Sequence, residues 1–306
     1  MTHSADRIDI LLPAWNGERF FQAQLDSLLA QQKVDSRIVV RDDASDDGTL
    51  GLARAYAARH ANIEVHTGPR LGVVGNINWL LARSAGEGRA SYFALSDQDD
   101  VWHPHKLSRE MDAMHALECR FGSDAPLLVC SDARCVDAQS RELRPSFLKK
   151  LGVPSNWGKD LHQTLVMSHA LGCSCLGNAA LRRLALPIPA AEDIFMHDWW
   201  LLLVAMCFGA VYCIHEPLLD YRQHAGNVLG AKGKGRFLQR LAASRQHARR
   251  SQRQARTFLI RFADKLDTWQ RDAVRAWAFM PISPLWYRLW LCRRHGFAKP
   301  GLMRLL

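Results

Sequence analysis

The sequence contains no apolar run approaching the roughly 18 to 20 residues a membrane-spanning helix needs. It contains no Cys-x-x-Cys pair either, although cysteine occurs eight times. The one-residue spacing of Cys173 and Cys175, with no second pair, is not a zinc pattern. A chain of 306 residues has no need of disulfide staples. The cysteines are therefore expected as reduced thiols, mostly in the core, of a protein in a reducing compartment. No Gly/Ser- or Pro-rich tract points to disorder, and there is no internal repeat. The first six residues lack the basic-then-apolar order of a secretory leader, so a cytoplasmic location is the expectation.

Nearly half of the residues are hydrophobic (48 %), enough for a substantial core in one large or two modest domains. The net charge of +10 is unevenly spread. From Ala231 onward there are 18 Lys and Arg against three acids, leaving 22 basic and 27 acidic residues before it. The chain thus divides into a slightly acidic body, residues 1–230, and a basic helical extension, residues 231–306. That asymmetry suggests an anionic partner for the extension.

Along the body, apolar runs and helical periodicities alternate. Arg7 to Pro13, Arg37 to Asp42, Ile63 to His66 and Ser91 to Ser96 read as strands, and Leu127 to Asp132 and Val211 to Ile214 as two more. Helical spacing is present from Phe20 to Leu29, Thr49 to His60, Asn76 to Ala85 and Asp198 to Phe208. Strand and helix in alternation predict an α/β fold with a mainly parallel sheet covered by helices on both faces. Ligands of such sheets bind beyond the carboxyl ends of the strands. The polar clusters fall there: Trp15 to Glu18, Asp42-Asp43, and Asp97-Gln98-Asp99-Asp100.

Three acids in four residues repel one another unless a cation, hydrogen-bond donors or water compensates. A hard cation, Mg2+ or Mn2+, binds carboxylates and diphosphate oxygens together. A solvated acidic turn is the plain alternative. Asp42, at a strand end, suits a pyrimidine ring N–H, while Asp46 and Asp47 suit helix capping. His197-Asp198-Trp199-Trp200 opens an apolar helix. Asp198 there is either a cap or a general base, and the tryptophans are either core or a sugar-stacking wall.

Pro13-Ala14-Trp15-Asn16-Gly17-Glu18, Asp42 to Thr49, Leu71-Gly72-Val73-Val74-Gly75-Asn76 and Asp97 to Trp102 resemble, in order and spacing, the motifs of family-2 inverting glycosyltransferases. These are enzymes of the GT-A (Rossmann-like) fold. Ser96-Asp97-Gln98-Asp99-Asp100-Val101-Trp102 with the later His-Asp-Trp-Trp is similar to the bacterial rhamnosyltransferase-type branch. The resemblance covers about residues 7 to 230. It implies that Pro13, Trp15, Asn16, Glu18 and Asp42 line the nucleoside site, and that Asn76 and Asp97 approach the donor. It further implies Asp99 as a metal ligand with His224 completing the shell, Asp100 supporting them, and Arg222 at the diphosphate. Asp198 matches the general base; Gly172, Trp199 and Trp200 fall on the acceptor side.

The implied activity is transfer of a sugar, L-rhamnose from dTDP-L-rhamnose in this branch, to a surface-polysaccharide or lipid-linked glycan. A UDP-hexose transferase with the same machinery and a catalytically silent glycan- or nucleotide-binding protein are the rivals. For the extension, Arg249, Arg253 and Arg256 fall on one helical side. Trp286, Tyr287, Trp290 and Leu291 lie beside Arg288, Arg293 and Arg294, a mixture found at anionic membrane surfaces. A solvated or oligomer-forming helix is the alternative. No nucleic-acid module motif is present, so nucleic acid is not expected as a partner.

Overall fold

Alternation of apolar residues between the two faces of a strand is what sorts this chain into layers. The computed structural model describes residues 7–85, 90–151, 160–224 and 237–280, with Pro284, Trp286, Trp290 and Phe297. The first half runs β1 (Arg7–Ala14), α1 (Glu18–Leu29), β2 (Asp35–Asp42), α2 (Thr49–Ala57), β3 (Ile63–Thr67), α3 (Gly72–Ser84) and β4 (Tyr92–Leu95). Then come β5 (Val101–Trp102), α4 (Lys106–Phe121), β6 (Leu127–Val136), β7 (Glu142–Arg144), α5 (Phe147–Leu151) and α6 (Leu161–Val166). A short 3-10 turn, Gly172–Ser174, leads into β8 (Cys175–Asn178) and α7 (Ala179–Ala185). The chain continues with α8 (His197–Phe208), β9 (Ala210–Arg222), α9 (Phe237–Phe262) and α10 (Thr268–Phe279).

The strands form one sheet in the order β3-β2-β1-β4-β8-β6-β9-β5, with β7 beside β6. β1 to β4 are mutually parallel, as the alternation of strand and helix predicts, and β9 is parallel to β6. β8 enters antiparallel between β4 and β6, and β5 and β7 are also antiparallel. β5, β7 and β8 are only two to four residues long, too short for their periodicity to stand out in the sequence.

Ile8, Ile10, Ile38, Val40 and Ala94 point to a core shared with Phe21 and Leu25 of α1, Ala53 of α2 and Met111 of α4. Leu11, Val39, Phe93 and Leu95 point the other way, to a core shared with α3, α8, α9 and α10. β1 therefore reads as a continuous apolar run because it is covered on both faces. α8 is apolar all round for a similar reason. It lies between the sheet and α9, with Trp200 and Phe208 against Phe258 and Phe262. Phe258, Phe262, Val274 and Trp277 sit in that same core, so α9 and α10 share it with the body.

The arginine cluster on α9 is divided. Arg245 and Arg249 are exposed. Arg250 donates to the Phe195 carbonyl (2.7 Å), Arg253 to Glu192 (2.8 Å) and Arg256 to Ala278 (2.8 Å). Arg261 donates to the carbonyls of Leu184, Leu186 and Pro187. Much of the positive charge thus serves to dock α9 on the backbone leading into α8. Tyr287, Arg288, Leu291, Arg293 and Arg294 lie outside the described residues. Of the described cysteines, Cys119 is exposed and six are buried, and all are free thiols. Among the described residues no helix is long and apolar enough to cross a membrane.

Candidate active site

The strand order reverses its direction of growth at β1, whose neighbours are β2 on one side and β4 on the other. That switch point, at the carboxyl edge, is where open α/β sheets hold ligands. The loops there are stitched together. Asn16 has a left-handed backbone (φ +48), which asparagine tolerates better than most residues. Its N–H donates to Ser45 Oγ and its side-chain Oδ1 accepts from the Asp46 N–H, both at 3.0 Å. Glu18 Oε2 accepts from the Gly48 N–H (3.0 Å), while the Glu18 N–H donates to Asp47 (3.1 Å). Asp47 also accepts from the Thr49 N–H at the head of α2, but the N-cap of that helix is Gly48 and it has no side-chain cap, so the capping expected of Asp46 and Asp47 is not made. Asn16 and Glu18 thus join the first loop to the second.

Gln98 does the same for the acidic loop. Its Oε1 accepts from the Trp15 N–H (2.8 Å) and its Nε2 donates to the Trp15 carbonyl (2.9 Å). A Cβ on Gly17 would lie 2.4 Å from Gln98 Oε1, so only glycine admits this bridge. Nothing in the sequence singled Gln98 out from its acidic neighbours. Trp15 is 42 % exposed, with the Arg70 guanidinium 3.8 Å from its ring centroid. Pro13, at the end of β1, is half-buried.

Behind this rim lie two buried acceptors without partners. Asp42 Oδ2 accepts from the Ser45 N–H (3.0 Å), but its Oδ1 has no hydrogen bond. Asn76 Nδ2 donates to the Arg41 carbonyl (3.1 Å), and its Oδ1 likewise has none. Buried unpartnered acceptors are uncommon in folded proteins and point to an absent ligand or water.

The acids after β4 are not equivalent. Asp97 is half-buried, and burial followed by the neighbouring charges of Asp99 and Asp198 raises its pKa to about 7. Asp99 Oδ2 lies 2.7 Å from His224 Nε2. Asp100 is fully buried; its Oδ1 accepts from the Arg222 N–H (2.9 Å), and its pKa is raised well above normal, by burial first and then by Asp97 and Asp99. One ligand atom each of Asp97, Asp100 and Cys173 lie within 4.8 Å of one another. Two groupings could therefore meet a cation. The Cys173 thiol is pushed well up by burial and by Asp100, which keeps it protonated and a poor ligand for a hard ion. Asp99 and His224 are partly exposed and offer an oxygen and a nitrogen that can also meet a diphosphate. The carboxylates of the two groupings fit Mg2+ or Mn2+, and the charge of Asp99 reaches Asp97. Gly226 and Asn227, beyond His224, lie outside the described residues.

On the far side, Asp198 stands in the first turn of α8. Its Oδ1 accepts from the Trp199 N–H (2.6 Å). Burial raises its pKa to about 6, although the backbone N–H groups of Trp199 and Gly172 pull the other way. Gly172 is adjacent: a Cβ there would lie 3.5 Å from Asp198 Oδ2. Asp97 and Asp198 are close enough for the charge of one to raise the pKa of the other, so the structure brings together acids about a hundred residues apart.

Two expectations change. Trp199 and Trp200 are not an acceptor wall. They are 2 % and 0 % exposed, and their indole N–H groups donate to the carbonyls of Thr164 and Ala185. An apolar helix pressed between sheet and α9 leaves neither ring a surface. Arg222 does not present its guanidinium to a diphosphate. It is buried and donates to the carbonyls of Asp99 and Asp137 and to Ser140 Oγ, which ties the end of β9 to the acidic loop.

Residues 9–122 match the family model described as glycosyl transferase family 2. Those residues carry a glycosyl transferase family 2 domain. The matched stretch contains Asp42, Asn76 and Asp97 to Asp100. The chain is similar to the dTDP-rhamnosyl transferase RfbG of Shigella flexneri, 27 % identical over 229 residues, covering 72 % of this chain and 74 % of the relative. In fold it is similar to S. aureus TarS 1-349 in complex with UDP-GlcNAc. There the TM-score is 0.53 at 15 % identity, over 98 % of this chain and 84 % of that one. It is also similar to the mannosyltransferase PcManGT from Pyrobaculum calidifontis in complex with GDP-Man and Mn2+. That match has a TM-score of 0.50 at 14 % identity, over 99 % and 84 % of the two chains. These likenesses show the GT-A fold.

Proposed function

We propose that the protein is an inverting, divalent-metal-dependent glycosyltransferase that moves L-rhamnose from dTDP-L-rhamnose to a bacterial surface-polysaccharide or lipid-linked glycan. The observation that carries the reading is the convergence of Asp97, Asp99 and Asp198. The charges of Asp99 and Asp198 both reach Asp97 and, after burial, raise its pKa, beside the buried, unpartnered Asp42 Oδ1 and Asn76 Oδ1. The choice of rhamnose follows the likeness to RfbG and the Ser96 to Trp102 motif.

In this reading Asp42 Oδ1 accepts the pyrimidine ring N–H, with Trp15 and Arg70 beside the base. Asn16, Glu18 and Gln98 hold the loops that shape this site. Asp99 and His224, with Asp97, hold the Mg2+ or Mn2+, and Asp100 supports them from behind. Such an ion supplies positive charge opposite the leaving diphosphate. Asp198 takes the acceptor hydroxyl proton as that oxygen attacks the anomeric carbon from the face opposite the diphosphate. Its raised pKa makes it a stronger base than a solvated aspartate, while leaving it ionised at neutral pH.

A panel of nucleotide sugars tested by thermal shift with Mn2+ checks the donor. dTDP-rhamnose is expected to give the largest stabilisation, and chelation is expected to remove both the shift and turnover. A preference for a UDP-hexose sinks the rhamnose reading; activity that survives thorough chelation sinks the metal. We also propose peripheral attachment at the inner membrane face through the end of the chain, on the ground that Trp286 and Trp290 are 71 % and 43 % exposed near exposed Arg271 and Arg275 in sequence. Sedimentation with phosphatidylglycerol vesicles but not phosphatidylcholine vesicles is expected. Equal behaviour with both rules the attachment out.

A further inference from the structure

A Cβ built on Gly172 would have His197 Nε2 at 3.4 Å, Asp198 Oδ2 at 3.5 Å and Asp198 Cβ at 3.6 Å as its nearest neighbours. These are ordinary contact distances, so alanine would fit without displacing anything. With glycine, a notch of about methyl size remains between an imidazole nitrogen and a carboxylate oxygen. Gly172 and Asp198 are both partly exposed, so the notch is open on one side.

His197 is the anomaly here. It is 5 % exposed, its Nδ1 is buried without a hydrogen-bond partner, and no bond to Nε2 is made among the described residues. An imidazole enclosed on these terms costs stability, since its polar atoms have left water for nothing. A neutral imidazole has one N–H and one lone pair. With Nδ1 sealed and Nε2 at the notch, a proton on Nε2 puts the donor where a ligand can take it. Asp198 Oδ2 is the acceptor across the gap. One donor beside one acceptor matches two adjacent oxygens of a sugar.

We propose that the Gly172 notch, with His197 Nε2 as donor and Asp198 Oδ2 as acceptor, seats the acceptor sugar, and that His197 selects acceptors with an uncharged oxygen next to the attacking hydroxyl; this rests on Asp198 being the base. The attacking hydroxyl gives its proton to Asp198, and its neighbour accepts from His197. Burial drives the His197 pKa down to about 4, so the ring is neutral in use and has no charge to draw an acidic sugar.

Two variants and one probe test this. His197→Phe keeps the ring and removes both nitrogens. It is expected to melt at or above the wild-type temperature, because an unpartnered polar ring is replaced by an apolar one. Nitrogen-15 NMR of the wild-type imidazole is expected to show the proton on Nε2. With Mg2+ and dTDP bound, titration of methyl α-L-rhamnopyranoside is expected to shift the Nε2 resonance in the wild type and not in Gly172→Ala. For transfer to that glycoside, His197→Phe is expected to raise the acceptor KM about tenfold, the scale of one lost hydrogen bond, with the donor KM unchanged. A proton on Nδ1, a lowered melting temperature in His197→Phe, or no difference between wild type and Gly172→Ala overturns the seat. A protein that binds neither dTDP nor UDP sinks the glycosyltransferase reading instead, while the tautomer and melting results still judge His197.

Discussion

On the proposed donor side of the sheet edge, polar residues are held by bonds between neighbouring loops; on the proposed acceptor side they are held from far along the chain. Asn16, Glu18, Ser45, Asp47 and Gln98 link three loops that each follow a strand of the parallel half. Asp198, by contrast, follows a stretch from Leu186 to Met196 with no regular structure. That stretch is gripped by α9: Arg250 and Gln254 bind the two backbone groups of Phe195, and Arg253 and Thr257 the carbonyls of Glu192 and Asp193. The loops around Trp15 and Asp42 are built locally, and the stretch leading to Asp198 is splinted. Changes in α9 should therefore reach turnover without touching nucleotide binding.

The largest separation of the two sides is expected from Asp198→Asn. Losing a general base costs about 10²–10⁴ in rate, so transfer should fall by about 10³ while nucleotide affinity stays within twofold or so. In the wild type the same group sets the acid side of the pH profile. Its pKa is raised to about 6 and only its ionised form accepts a proton, so kcat/KM should fall tenfold per pH unit below about 6. Near-normal turnover in the variant, or a flat profile down to pH 5, removes Asp198 from the chemistry.

The reverse separation is expected from Asp42→Ala. Its buried Oδ1 has no partner in the protein, so removing it leaves the fold largely undisturbed and withdraws an ionic acceptor from the base. A hydrogen bond to a charged group is worth about 1.5–3 kcal/mol. Nucleotide affinity measured by calorimetry should fall by about 10- to 100-fold, with kcat at saturating donor close to wild type. If kcat falls and affinity does not, Asp42 belongs to the framework.

The same difference explains what could be read from the residues alone. The parallel half was legible, because strands buried on both faces appear as apolar runs and the carboxylates follow them directly. The acidic loop was visible for this reason too, whereas Asp198, which follows no strand, stood out only through the resemblance carried by His197-Asp198-Trp199-Trp200. Gln98 was not, since an amide among acids carries no sign that it bridges to Trp15. Trp199 and Trp200 were misplaced because a tryptophan's sequence neighbours do not reveal a helix packed over it from α9. Arg222 and the α9 arginines were read by charge, yet their destinations are backbone carbonyls, which have no sequence signature. Non-local contacts to the main chain are what escaped.

The smallest expected effect, and the most direct test of the splint, is Gln254→Ala. Gln254 is 1 % exposed and its Oε1 accepts the Phe195 N–H at 2.8 Å, two residues before His197. Truncation leaves that N–H without its partner, at a cost of about 1–3 kcal/mol, so the melting temperature should drop by a few degrees. If α9 only packs, that is the whole effect, and kcat of the folded enzyme at lower temperature is unchanged. If α9 positions α8, Asp198 wanders from its place, and misplacement at a reacting centre is costly. Turnover should then fall about three- to tenfold with the donor KM unchanged, and hydrogen exchange should rise at Phe195 to Trp199. An equal loss in kcat and donor affinity would instead mean that the two sides are not separately held, because a change fifty residues beyond Asp198 would have reached the loops around Trp15 and Asp42.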